Sequence, residues 1–293
     1  MIAVGYRAVH EMAAALERAD ASARVLGARA LAARDGAGPA AAFSALAAAG
    51  PEGLVPAVGT GGTLAARHLE QAALAAASAG PLLPDDVLDA LAHAVAAARS
   101  QSGGGNALDP RGAALVVGRE VAAVRGLLDD SLPRDTAWHM LRLGTFLPRA
   151  AWICALALAC ATAAGNDPAS ADAIWGAAAR VTGMRVGDGG EPPTSVLGPL
   201  MRDDRLPMSV ARSLDEVTRA LFALSRDGAS EAGPLALARA TVTRLGSAAM
   251  HDQLRREPRE AIGGVLDALG ALAGAAAPAR RPRATQSGAA LAA

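Results

Sequence analysis

The chain has 293 residues, enough to bury a substantial core, and balances 28 cations against 28 acids. Zero net charge provides no basic field to hold a phosphate backbone, which argues against nucleic-acid binding as a main role. Aromatic residues make up 2% of the chain and alanine and leucine dominate, so the composition supplies helices rather than strands.

Val9, Met12, Leu16, Ala19, Ala23, Leu26 and Ala30 step by three and four, predicting an amphipathic helix over about 3–34. A neighbouring line, His10, Ala14, Glu17, Ala21 and Arg24, alternates alanine with polar groups. Such a line lets another helix approach closely while Glu17 and Arg24 reach across to it. Asp35 to Pro39 ends this helix with two glycines and a proline. A short alanine-rich helix over 40–49, a loop over 56–63 and a helix over 64–78 follow. Pro84-Asp85-Asp86 opens a helix to about Arg99, with acids where the macrodipole favours them. Ser102 to Asn106 is glycine-rich and reads as the most flexible internal segment.

Asp109-Pro110 carries a cap and a first-turn proline for a helix to about Leu128, which contains Arg119-Glu120. Another helix starts after Ser131-Leu-Pro-Arg-Asp135. Pro148 lacks a backbone N–H and disfavours helical geometry at Leu147, so a kink or break is expected between Gly144 and Pro148. The continuation to Ala164 is almost wholly apolar and belongs at the centre of a bundle. Its run is shorter than the roughly 20 residues a membrane span needs, so no membrane crossing is expected. Further helices are expected over 168–183, 194–202, 208–225, 232–255 and 258–274, with a loop over 187–193. The tail from Ala275 to Ala293 has no apolar period and reads as disordered.

The absence of lysine removes a phosphate-loop lysine, a Schiff-base lysine and a Ser-x-x-Lys pair. Cys154 and Cys160 lie six residues apart on one helix, a rise of about 9 Å, and cannot bridge each other. They read as small apolar core residues in a reducing, cytoplasmic compartment. None of the five histidines has Glu three residues before it, and no Gly-x-Ser-x-Gly elbow is present, so neither metal nor cofactor is expected. Gly59 to Thr63 could cradle a phosphate, but without a preceding strand it reads as a loop. Trp138, His139 and Trp152 read as core fillers.

Laid over one another, MAAALERADASARVL from Met12 and LGTFLPRAAWICALAL from Leu143 align Leu16 with Leu147, Arg18 with Arg149 and Ala19 with Ala150. Pro148 then answers Glu17, so the first helix keeps an acid that its counterpart lacks. The pattern predicts one all-α domain over 1–274 built from two related halves, about 1–130 and 131–274. The expected polar centre comprises Glu17, Arg18, Arg119, Glu120 and Arg149. Consecutive Glu and Arg point about 100° apart on a helix, so each seeks its partner on another helix. An ion-pair network tying the halves together is the first reading, and a ligand site the second.

The segments HEMAAALERADASARVL, SLPRDTAWHMLRLGTFLPRAAW, IWGAAARVTG and RDDRLPMSVARSLDEVTRALFAL resemble the alpha-E family, bacterial all-helical proteins with a Glu-Arg motif. The second Glu-Arg is here Pro148-Arg149. The resemblance implies an accessory protein acting beside an ATP-grasp-type amide ligase and a transglutaminase-like peptidase, with no established catalysis of its own. The rival expectation is a catalytic or ligand-binding subunit that uses Glu17 and Glu120 on a peptide-like substrate. A purely structural remnant is the third.

Overall fold

The computed structural model describes residues 2–35, 41–44, 61–101, 109–184, 196–226 and 232–276, and among these every regular element is helical. The chain runs α1 (Ile2–Asp35), α2 (41–44), α3 (Gly61–Ala79), α4 (Asp85–Ser100), α5 (Pro110–Ser131) and α6 (Thr136–Asn166). Then come α7 (Ala171–Thr182), α8 (Leu197–Arg202), α9 (Val210–Arg226), α10 (Ala232–Gly246), α11 (Ala248–Arg256) and α12 (Pro258–Ala276). The glycine-rich segment 102–106, the loop over 187–193 and residues 40 and 45–49 of the helix expected over 40–49 lie outside the described residues, as does the expected tail apart from Ala275 and Ala276, which instead end α12. So does the loop expected over 56–63 as far as residue 60, and Gly61 already opens α3.

Side chains in the chain's own sequence set several boundaries. Asp109 accepts from the Gly112 N–H at α5, and Asp135 accepts from the Ala137 and Trp138 N–H groups at α6, satisfying donors that have no partner within the helix. Gly183 closes α7 with φ of 72°, a left-handed conformation that glycine adopts without a Cβ clash. The single helix expected over 232–255 is divided, because Ser247 turns extended and accepts from the Met250 N–H as the cap of α11. The Gly246-Ser247 pair carried that stop in plain view.

Two long helices, α1 and α6, pack directly against each other and organise two apolar cores. Val9, Met12, Leu16 and Ala19 of α1 build the first core with Leu69, Leu91, Val121 and Leu128 from α3, α4 and α5. Ile153, Leu156 and Cys160 of α6 build the second with Ile174, Leu200, Leu214, Leu221, Ile262 and Leu269 from α7, α8, α9 and α12. Each long helix also lends one end to the other core. Val25, Ala28 and Ala32 of α1 join the second, and Leu141 of α6 joins the first.

Gly144 sits at a close approach of α1 and α6. A Cβ there would lie inside contact distance of the His10 carbonyl oxygen and 3.0 Å from Ala13 Cβ. Only a residue without a side chain permits that approach.

The break expected between Gly144 and Pro148 does not occur: α6 is continuous from Thr136 to Asn166 with Pro148 inside it. A mid-helix proline costs about 3 kcal/mol. Leu143, Leu147, Ala150 and Ile153 are buried around it, and a buried aliphatic side chain of leucine size contributes about 1.5–3 kcal/mol, so packing on both sides outweighs the loss. By length and composition α6 is long and apolar enough to cross a membrane, yet 72% of its most apolar window is buried within the protein. Cys154 and Cys160 are free and buried on it, and burial pushes both thiols well above their ordinary value.

Candidate functional site

Where α1, α5 and α6 meet, the Glu17 carboxylate is enclosed at 2% exposure and receives guanidiniums from two other helices. Arg149 Nε donates to Oε1 at 2.8 Å and Arg149 Nη2 to Oε2 at 2.6 Å, the two-pronged geometry in which a planar fork matches a carboxylate. Arg125 of α5 donates to Glu17 Oε2 at 2.5 Å and to Asp20 Oδ2 at 2.9 Å. Asp20 lies one turn along α1 and also accepts from Arg24 Nε at 3.1 Å. Five charged groups from three helices are thus connected, three guanidiniums to two carboxylates.

Burial alone would lower the Arg149 guanidinium, but the charge and hydrogen bonds of Glu17 overcome it and hold Arg149 above the ordinary arginine value. Burial alone would raise Asp20, and the charges and hydrogen bonds of Arg125 and Arg24 pull it below its usual 3.8. Among the described residues, the one buried side-chain nitrogen or oxygen without a partner is Gln101 Oε1, so the polar atoms around Glu17 are all satisfied.

Of the five residues expected at the polar centre, Glu17 and Arg149 meet here and the other three do not. Arg18 lies about 100° round α1 from Glu17, is exposed, and forms no ion pair among the described residues. Arg119 is exposed on α5. Glu120 faces α4, with His93 Nε2 3.8 Å from its carboxylate. The residue of α5 that enters the centre is Arg125, because Val117, Val121, Val124 and Leu128 mark its buried face and Arg125 borders that line. That flanking position was the available signal. Asp20 and Arg24 share the Glu17 stripe at spacings of three and four, which predicts their company.

A second polar assembly lies between α6 and α9. Glu216, also buried, accepts from Arg142 of α6 at 2.7 Å, and Arg212 and Arg219 of its own helix lie at 2.8 and 3.6 Å. Arg219 also pairs with Asp215 at 2.8 Å. Beside Glu216 opens a cleft of about 530 Å³ between the α5–α6 turn and α9, lined by Asp129, Asp130, Arg134, Trp138 and Arg219 among others. The Arg134 guanidinium stacks 3.5 Å from the centre of the Trp138 ring, and Arg142 lies 5.4 Å from it. Trp138 and Trp152 pack against the two cores as expected but are only partly buried, and the deeply buried tryptophan is Trp175. Arg134, Trp138 and Arg142 stand four apart, and that ladder was the signal for a stacked face.

Among the described residues no group of three or more His, Cys, Asp or Glu side chains is placed to hold a metal ion.

Residues 12–277 match the Alpha-E family, described as a predicted alpha-helical domain with a conserved ER motif. The chain belongs to the Alpha-E family. No curated protein and no solved structure matches it. Within the Alpha-E match the sequence contains one Glu-Arg dipeptide, Glu17-Arg18. The two residues of this motif part company in space. Glu17 is sealed against Arg149 and Arg125, while Arg18 is presented outward.

Proposed function

We propose that this Alpha-E chain is a non-catalytic accessory protein, working in the cytoplasm beside an ATP-grasp-type amide ligase or a transglutaminase-like peptidase in peptide or amide metabolism. The observation that carries the non-catalytic reading is the state of Glu17. Both carboxylate oxygens accept from guanidiniums, and the group is closed off from solvent. A general acid or base must reach a substrate proton within hydrogen-bond distance, and Glu17 has no free face to do so. Glu120, its supposed catalytic companion, faces His93 on another surface of α5. The ligase and peptidase partners rest on the family resemblance. The presence of two cores, each gathered on one long helix, supports reading 1–130 and 131–274 as related halves.

Affinity capture of the tagged chain from its native host, with the co-purifying proteins identified by mass spectrometry, tests the partner. Recovery of an ATP-grasp ligase or a transglutaminase-like protein is expected. Recovery of neither, from a chain shown to be folded, rejects the partnership. Glu17→Gln tests the role: weakened stability or association fits an accessory protein, whereas a fully stable variant that has lost a turnover would establish catalysis.

A further inference from the structure

The cleft beside Trp138 does not belong to the Glu17 centre. Its lining carries three acids, Asp129, Asp130 and Glu216, and three guanidiniums, those of Arg134, Arg142 and Arg219. The inner charges are already matched, Arg142 and Arg219 with Glu216 and Asp215. The outer ones are not. Among the described residues Asp129 and Asp130 form no ion pair, and the Arg134 guanidinium makes one hydrogen bond, from Nη2 to the Asp129 carbonyl oxygen at 3.0 Å. That leaves four of its five N–H donors free.

Both acids also sit in the last turn of α5, a turn that contains no basic residue and where the macrodipole disfavours negative charge. An uncompensated pair of carboxylates, an adjoining guanidinium held flat on an indole, and a cleft within the size range of small-molecule sites together define a receptor for a small charged ligand. A simple anion would meet the two carboxylates, and a simple cation would meet Arg134. A zwitterion satisfies both. Arg134 donates to the Asp129 carbonyl oxygen yet forms no ion pair with either carboxylate, so opposite charges from neighbouring residues face the cleft with a gap between them. Such a gap suits the ammonium and carboxylate carried on one carbon rather than the distant ends of a peptide.

We propose that this cleft binds a free α-amino acid through its head group, the carboxylate taken by Arg134 and the ammonium by Asp129 and Asp130. The site goes beyond the accessory role above and does not depend on it, since it needs neither a partner nor Glu17. Isothermal titration of the full chain with the common L-amino acids, followed in parallel by tryptophan fluorescence, tests it. At least one is expected to bind saturably below about 10 mM. Its N-acetyl and carboxamide derivatives should each bind at least about tenfold more weakly, because each strips one charge-assisted set of contacts.

The Asp129→Asn/Asp130→Asn double variant should lose about tenfold toward the parent amino acid but not toward its N-acetyl form. Arg134→Gln should lose affinity for the parent but not for the carboxamide. The aspartate variant should melt no lower than the parent protein, because it removes acids from a helix C-terminus, so loss of binding is separable from loss of fold. The proposal is overturned if no amino acid binds, if the capped forms bind equally well, or if the variants bind as the parent does. It is equally overturned if a triarginine peptide binds and no amino acid competes, which would give the cleft to a basic protein segment.

Discussion

Glu17 and Glu216 are both buried carboxylates fed by several arginines, yet they hold the protein together in different ways. The partners of Glu17 come from two other helices, more than 100 residues away in the chain. Of the three guanidiniums around Glu216, two lie within four residues on its own helix and are 38% and 64% exposed. Contacts of the first kind exist only in the folded state, and they fix how α1, α5 and α6 sit together. Contacts of the second kind are available to α9 alone and are screened by water. Burial of the acid is therefore a poor guide to what an ion pair contributes, and the origin and exposure of the cations decide it.

The comparison breaks most sharply at Glu17. Glu17→Gln leaves Arg149 and Arg125 without their buried counter-charge and should cost about 3–5 kcal/mol in urea unfolding. A double-mutant cycle with Arg149→Gln should return a coupling of about 1–3 kcal/mol. A loss below about 1 kcal/mol would show that the centre is not a structural lock.

Gly144→Ala sharpens the same point through packing rather than charge. The added methyl meets the His10 carbonyl and Ala13, so α1 and α6 must separate, at about 1–3 kcal/mol. If the melting temperature is unchanged, the two helices are less firmly apposed than the Glu17–Arg149 pair requires. Glu216→Gln should cost about 1 kcal/mol, since one long-range partner, Arg142, is lost while the exposed pairs contribute little. Parity with Glu17→Gln would erase the distinction drawn between the two acids.

Asp20 gives the comparison a pH axis. Its folded value lies below the ordinary 3.8, so its contribution is fully present above that pH and is lost as the pH falls through the folded value. Stability should decline below about pH 4, and Asp20→Asn should flatten that decline. An identical acid limb in the variant would remove Asp20 from the network's energetics. The smallest effect is expected at Arg219→Ala, below about 0.5 kcal/mol, because its guanidinium is exposed and both its partners lie on its own helix.

Composition and periodicity revealed the helical class and the long first helix, cap, glycine and proline signals revealed most boundaries, and the meeting of Glu17 with a guanidinium on the Arg149 helix followed from the alignment of those two segments. Arg125 escaped because a residue flanking an apolar face gains importance only when the neighbouring helix is in place. The Trp138 cleft escaped for a similar reason: tryptophan in an apolar context reads as filling, and only the turn between α5 and α6 brings Asp129, Arg134 and Arg142 around it. Local geometry argues for a break at Pro148, and the packing around it keeps α6 continuous.

The residue order by itself determined which segments coil, where caps and glycines stop them, and which stripe of each helix shuns water, because those properties depend on neighbours within about four positions. Only the tertiary structure decided which charges close on one another, which half of the Glu-Arg motif turns inward, and where a cleft remains open. Those outcomes depend on distances between helices far apart in the chain, and no local spacing encodes them.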